Sequence, residues 1–534
     1  MKKILSVFLA VLMLVSMLTG CQQKTKKNKT KTEAIEKIPY TLDEDTVKSF
    51  DELLKEAEKL GKGDDLEAAE SAIERLDEAY MDLVDQSQIA YVRYCTDQSN
   101  EEWKTQYLYA EEVVNQADAD YTQMSKRIYL AESPIRDALF ADWSQAEINM
   151  MLKYNEEIKE LNNRNTELTT QFRELEEDED WEKNMVKLYN EMVKNNNRIA
   201  EIYGYENYYD FAYQMVYKRD YDMAELETMR KLAAEYLPEC YENCLNVFYD
   251  IYDEFTKGEK RQLNSLLFDS YDEMAKDYVS LYLADMPQSA QDGMCDMLSQ
   301  ERSVFTDNEN AYEGAFTTFI DDAPFCYFGP GYDNSETVIH ELGHYYGSKY
   351  VEAWSQPMDL AETQSQGNEW LYTKFLQNHL ENDLYIGLVE YKMLSAIGDI
   401  IAFVMIDEFE QQVYYHENAG ELTLWQYNNI MKNVAESYGG IDYITENIMD
   451  IQMYWKYVVL ESPVYYISYA VSGVAALNLF AIAEEDEALA RGIYCKLLEE
   501  PLEDDGFLGN ISSAGLSGPF AEDVYIAVCD RYGK

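Results

Sequence analysis

Proline, histidine and basic residues are all scarce in this 534-residue chain. There are 10 prolines, and none falls between Pro134 and Pro238. Long stretches without proline, rich in Glu, Leu, Ala, Lys and Met, favour helices, because no ring interrupts the backbone hydrogen bonds. Lys and Arg number 44 against 101 Asp and Glu, a formal net charge of −57. That deficit excludes nucleic acid as a partner, since phosphate contacts need a surplus of cationic side chains. It keeps the surface solvated, and an acidic cleft would also concentrate cationic ligands. No C-x-x-C pair occurs. After Cys21 come Cys95, Cys240, Cys244, Cys295, Cys326, Cys495 and Cys529, an odd and scattered set. Neither a disulfide framework nor a cysteine zinc site is indicated. Cys240 and Cys244, one helical turn apart, read as buried free thiols. Apolar residues are plentiful at 47 %, with 46 tyrosines, which is ample for a large folded body. The length suggests two to four compact units.

The N-terminus predicts an address. Lys2 and Lys3 precede an apolar run over residues 4–18 and then Leu18-Thr19-Gly20-Cys21. A basic start, a short apolar core and small residues before the cut describe a signal peptide over 1–20; a spanning helix would need about 20 apolar residues. The Leu-Thr-Gly-Cys ending resembles a bacterial lipobox. That resemblance implies a diacylglycerol on Cys21 and an extracytoplasmic protein anchored to a membrane by lipid. Residues 21–40, with Lys24, Lys26, Lys27, Lys29 and Lys31, read as a Lys-rich tether.

Residues 41–220 read as an N-terminal helical region. Phe50, Leu53, Leu54, Ala57 and Leu60 share one helical face, Gly61 and Gly63 end that segment, and Asp64-Asp65 can cap the next. Residues 146–175 and 181–202 read as long antiparallel helices without sustained heptads. Residues 223–255 and 271–282 are similar. Between Tyr312 and Tyr332 the pattern changes: Ala315–Ile320 and Phe325–Phe328 are short aromatic and β-branched runs between turn residues, which predicts a small sheet. From Glu336 onward the chain reads as helical, with breaks near 347–357, 439–440 and 501–519.

The chain has four histidines, and two stand in His340-Glu341-Leu342-Gly343-His344. Residues i and i+4 share a helix face, so both imidazoles can bind one Zn2+ while Glu341 faces an activated water as general base. His379 and His416 have no partner at ligand spacing and read as surface or cap residues. A catalytic zinc needs a third protein ligand and an open position. A third histidine six residues beyond His344 is absent, because that position is Tyr350. Glu369, in Asn368-Glu369, and Glu362 both remain candidates on the next helix.

The stretch resembles the oligoendopeptidase F and thimet oligopeptidase family of zinc peptidases, whose third ligand is the first Glu of an E-x-x-S-x-x-x-E segment. Glu362, Ser365 and Glu369 reproduce that spacing. The resemblance implies that Glu362 binds the zinc, with Ser365 and Glu369 supporting it. Residues 313–316 with Pro324 to Phe328, residues 188–208, and Pro463 to Ala470 with residues 513–516 are similar to family segments as well. Coverage is thus roughly 180–534, with 221–534 as the catalytic region. Phe325, Cys326 and Tyr327 correspond to the strand beside the substrate, and Tyr465 and Tyr469 match family tyrosines and are, with Glu341, the candidate catalytic residues. The implied fold is mainly all-α, a helical ellipsoid with a deep channel and a small sheet beside the metal helix. The implied reaction is hydrolysis of short unstructured peptides, with one Zn2+ per chain, and the acidity adds a preference for cationic ones. Two features depart from the pattern. Gly347 stands where the family often has a further His, and Lys456, Tyr457 and Ser462 stand where it usually has a His and a Tyr. They motivate a second reading, a lipid-anchored peptide-binding protein that keeps a metal site but turns over weakly. Glu341 argues against it, since a binder has no use for a base there.

Overall fold

Helices fill the proline-poor stretches. The computed structural model describes residues 33–532 except 174, 176–178, 269–272, 300, 350–355, 440–450 and 501–505. The expected signal peptide, Cys21, Lys24 to Lys31 of the expected tether and Tyr350 lie outside the described residues. Glu44–Gly61 (α1), Leu66–Thr96 (α2) and Glu101–Leu130 (α3) pack against one another. Asp65 caps α2 as expected, its carboxylate accepting from the Ala68 N–H at 3.2 Å. The stretch 146–175, expected as one helix, is two: Gln145–Lys153 (α4) and Glu156–Arg173 (α5). Tyr154 turns out of helical geometry between them, and Lys126 Nζ on α3 donates to its carbonyl at 3.0 Å. Asn155 then accepts from the Ile158 N–H to start α5. A cation arriving from another helix is a tertiary effect, invisible to periodicity. Trp181–Tyr203 (α6) ends at Gly204, whose φ of 91° allows the left-handed cap. Met223–Glu254 (α7) follows.

The sheet holds Ser303–Phe305 (β1), Ala315–Ile320 (β2) and Ala323–Phe328 (β3) in the order β1-β3-β2. β1 pairs parallel to β3, and β2 antiparallel. The three-residue β1 carries too short a pattern to be read from sequence. Asp321 and Asp322 form the hairpin turn at φ 54° and 53°, a pair of left-handed residues of the kind that matches strand twist, in a residue type that tolerates it. Strand alternation makes the sheet a partition. Phe316, Ile320, Phe325 and Tyr327 join an apolar core built from residues 35–151, including Tyr80, Tyr91 and Met124. Cys326 and Phe328, on the opposite face, join the larger core of the C-terminal helices.

Those helices include Ser335–Gly347 (α8), Met358–Leu376 (α9), Asn382–Tyr414 (α10) and Ile467–Glu485 (α11). By length and composition α11 could cross a membrane, but 72 % of it is buried within the fold, where it packs on α9 and α10. It is a core helix. One expected break holds more order than its composition suggests, since Gly506–Ala514 is helical. The fold is mainly helical with a small sheet against α8, as the sequence predicts.

Candidate metal centre and active site

Two regular helices bring the histidines to Glu362. α8 begins at Asn334, whose side chain accepts from the Thr337 N–H at 2.9 Å, and it buries Val338, Ile339 and Leu342. α9 crosses it at Gly343. A Cβ there would stand 2.6 Å from Ser365 Cα and 2.8 Å from the Gln364 carbonyl oxygen, so only glycine permits this approach. Asn368 locks the pair, donating to the Ile339 carbonyl at 2.7 Å and accepting from the Tyr282 hydroxyl at 2.7 Å.

At that crossing His340 Nε2 and His344 Nε2 lie 3.1 Å apart, and Glu362 Oε2 is 3.6 Å and 3.5 Å from them. Among the described residues this is the one group of such side chains whose donor atoms all converge, within 4.8 Å. Ligands about 2.0–2.1 Å from a tetrahedral zinc stand about 3.3–3.4 Å from one another. The observed separations bracket that figure, and two imidazoles with one carboxylate are a borderline-soft donor set of the right kind. The three residues can hold a metal ion.

The neighbours set the protonation of these groups. Glu369 Oε1 lies 2.7 Å from His340 Nδ1; with the proton on Nδ1, Nε2 is free to ligate. Burial opposes a charged His340, but the hydrogen bond and charge of Glu369, with Glu341 and Glu362 adding, outweigh it and raise the imidazole to about 9. Lys392 Nζ is 3.8 Å from Glu369 Oε2 and is ion-paired to Glu336. Glu362 is buried, which works against its charge, yet His344 and His340 hold its carboxyl below the usual range. Ser365 donates to Glu362 Oε2 at 3.3 Å. Gly347 is occupied in a different sense: Gln364 Oε1 lies 2.1 Å from where its Cβ would be. The glutamine fills the space a side chain would take.

Glu341 is 3 % exposed, and the Thr317 hydroxyl on β2 donates to its Oε2 at 2.6 Å. With His340, Glu369, Tyr469 and Asp399 it lines a cavity of about 550 Å3. The two tyrosines are not equivalent. Tyr465 is fully buried and donates to Glu362 Oε1 at 2.7 Å, so it braces the carboxylate. Tyr469 faces the cavity. Burial, then the Glu362 charge, pushes both phenols well above their usual range, which keeps them as donors. Phe325, Cys326 and Tyr327 are fully buried on the central strand. A central strand has both edges paired, so the expected substrate strand is misplaced by one: Gly314 and Ala315, at the start of β2, line the cavity.

The segment before Tyr465 is strained. Val464 has φ 64°, an outlier for a β-branched residue. Its N–H donates to Glu410 Oε1 and Oε2 at 2.9 and 3.0 Å. Arg219 Nη2 donates to the Val464 and Tyr465 carbonyls at 2.9 and 3.2 Å and to Ser468 Oγ at 3.1 Å. Its guanidinium rests on the Tyr213 and Tyr217 rings. The Tyr217 hydroxyl donates to the Pro463 carbonyl at 2.7 Å. Lys456, at one of the departing positions, is paired with Glu182 at 2.5 Å, and Tyr457 packs against Trp181. Both turn away to α6. His379 is exposed and packs on Phe375, while His416 Nδ1 accepts from the Asn418 N–H. Neither joins the metal group.

Sequence reasoning missed Thr317, Lys392, Asp399, Arg219 and Glu410. Thr317 had a signal: with Phe316, Thr318 and Ile320 on one face of β2, it must point the other way, towards α8. The others reach the site from distant elements and carry no local pattern.

Comparison with known proteins bears on this site and fold. Residues 37–152, about a fifth of the chain, match the Peptidase M3 N-terminal domain, in the region where family-like motifs were weakest. No curated protein matches the sequence. The fold is similar to a PZ peptidase A solved with an inhibitor, at 17 % identity and a TM-score of 0.72, covering 93 % of this chain and 98 % of that one. A Bacillus anthracis protein described as an oligoendopeptidase F matches at 17 % identity and 0.70, covering 95 % and 98 %. The oligoendopeptidase F of Enterococcus faecium matches at 14 % and 0.58, covering 91 % and 96 %. The chain therefore has the fold of these proteins over nearly its whole length.

Proposed function

We propose that the protein is a zinc-dependent endopeptidase of the oligoendopeptidase F type, acting on short unstructured peptides outside the cytoplasmic membrane and tethered there through a lipid on Cys21. The observation that carries the reading is the convergence of His340, His344 and Glu362, at a cavity that His340 and Glu341 line. Zinc held by those three would supply Lewis acidity towards water and the scissile carbonyl. The chain's own residues do the rest. Glu341 has Oε2 fixed by Thr317, leaving Oε1 to accept the attacking water's proton and to pass it to the leaving amine. Tyr469 faces the same space and can donate to the oxyanion. Ala315, at the start of the edge strand β2, offers backbone along which an extended peptide can lie. A cavity of about 550 Å3 is in the usual range for small ligands and takes a few residues of an extended chain.

Glu341→Gln tests the mechanism. The variant should keep one zinc per chain, by metal analysis, and lose about 10²–10⁴-fold in turnover of a fluorogenic peptide. Substantial residual turnover would refute the general-base role. Wild-type enzyme should cleave that peptide and leave a folded protein carrying the same bond intact.

A further inference from the structure

The cavity-facing stripe of α10 runs through Lys392, Ser395, Ala396, Asp399 and Phe403, the three- and four-residue spacing of one helix face. Its two charged residues differ. Lys392 is neutralised by Glu336 and Glu369. Asp399 lies two turns further on, about 10 Å along the axis, and among the described residues no hydrogen bond or ion pair reaches its carboxylate. It is open to the cavity. The same space is lined by the carboxylates of Glu336, Glu341 and Glu369, with Lys392 as the one Lys or Arg lining it among the described residues. The wall therefore holds an acid whose counter-charge is missing. One turn beyond, Phe403 packs against Tyr469, with ring centroids 5.3 Å apart, so the stripe leads from Asp399 to the tyrosine that faces the reacting end. Phe268, Trp370 and Tyr391 add aromatic surface to the same cavity, suited to the methylene stem of a long cationic side chain.

We infer that Asp399 forms a subsite for a lysine or arginine side chain of the bound peptide, close to the scissile bond. The inference rests on the peptide-cleaving reading but is tested apart from it. In Glu341→Gln protein loaded with zinc, a series of short peptides with lysine or norleucine at each successive position is measured by fluorescence anisotropy. Norleucine keeps the stem and removes the charge. One position should favour lysine about tenfold, the scale of a single partly enclosed ion pair. Adding Asp399→Asn should bring the lysine-to-norleucine ratio at that position close to one, and Asp399→Lys should shift the preference to a glutamate peptide. Equal binding of lysine and norleucine at every position overturns the inference, as does binding of neither. So does a lysine preference that survives Asp399→Asn, which would assign it to the general negative field. If wild-type protein cleaves nothing while the position-specific preference holds, the peptidase reading falls and the subsite stands.

Discussion

On one side of the site, His340, His344 and Glu362 stand on regular helices that Gly343 lets close together. On the other side, Tyr465, buried behind Glu362, and Tyr469, facing the cavity, follow a loop whose Val464 is held at φ 64° by Glu410 and Arg219. The first wall is set by helix geometry: an i, i+4 pair, a glycine contact and one carboxylate. The second is set by tension between distant parts of the chain, since Arg219 and Glu410 lie 245 and 54 positions from the groups they hold. The two walls should fail differently when damaged.

The largest effect belongs to the helical wall. Glu362→Gln removes a ligand and should empty the site, abolishing activity. Glu369→Gln removes the charge behind His340 Nδ1 and the ion pair with Lys392, but no ligand, and should weaken zinc by about 10–100-fold. Competition against a chromogenic chelator measures both. Zinc retained by Glu362→Gln and lost by Glu369→Gln would exchange their roles.

A smaller effect separates the tyrosines. Tyr469→Phe should lower kcat by about 10²-fold, the cost of one oxyanion donor, with zinc content unchanged. Tyr465→Phe frees Glu362 Oε1 and should act through the metal, weakening zinc by about tenfold. Stopped-flow turnover with zinc titration of each variant distinguishes them. If Tyr465→Phe lowered kcat at full zinc occupancy, Tyr465 would be the donor and the comparison of the walls would need redrawing.

This contrast explains what could be read from the sequence. His340, Glu341, His344 and the helices bearing them follow from a 3.6-residue period and from ligand chemistry, both local. Glu362 needed a resemblance to separate it from Glu369, and the structure gives the physical reason: Glu362 Oε2 meets both Nε2 atoms, while Glu369 meets the far side of His340. The distinction between Tyr465 and Tyr469 could not be read, because it depends on a backbone held by residues far away in the chain. The sheet was legible as strands but not as a topology. With β1 unseen, nothing in the sequence showed that β3 was central and its Cys326 beyond a substrate's reach.

The smallest effect tests the strain itself. Val464 is 1 % exposed, so any truncation there loses packing, and Val464→Gly by itself would not isolate the backbone. Comparing Val464→Gly with Val464→Ala does. Alanine keeps a Cβ in the left-handed region, at a cost of about 1–2 kcal/mol that glycine escapes. Glycine in turn gives up about 0.5–1 kcal/mol through the greater freedom of its unfolded chain. The balance favours the glycine variant by about 0.5–1 kcal/mol, the reverse of the ordinary order in which alanine is the more stable. Urea denaturation of the two proteins, with m-values compared, measures that difference. Both should retain the Arg219 and Glu410 contacts, which are made to backbone atoms, and so hold Tyr465 near Glu362. An alanine variant more stable than the glycine one would mean that residue 464 is not held left-handed in solution. The second wall would then be a relaxed loop, and its difference from the helical wall would reduce to sequence distance alone.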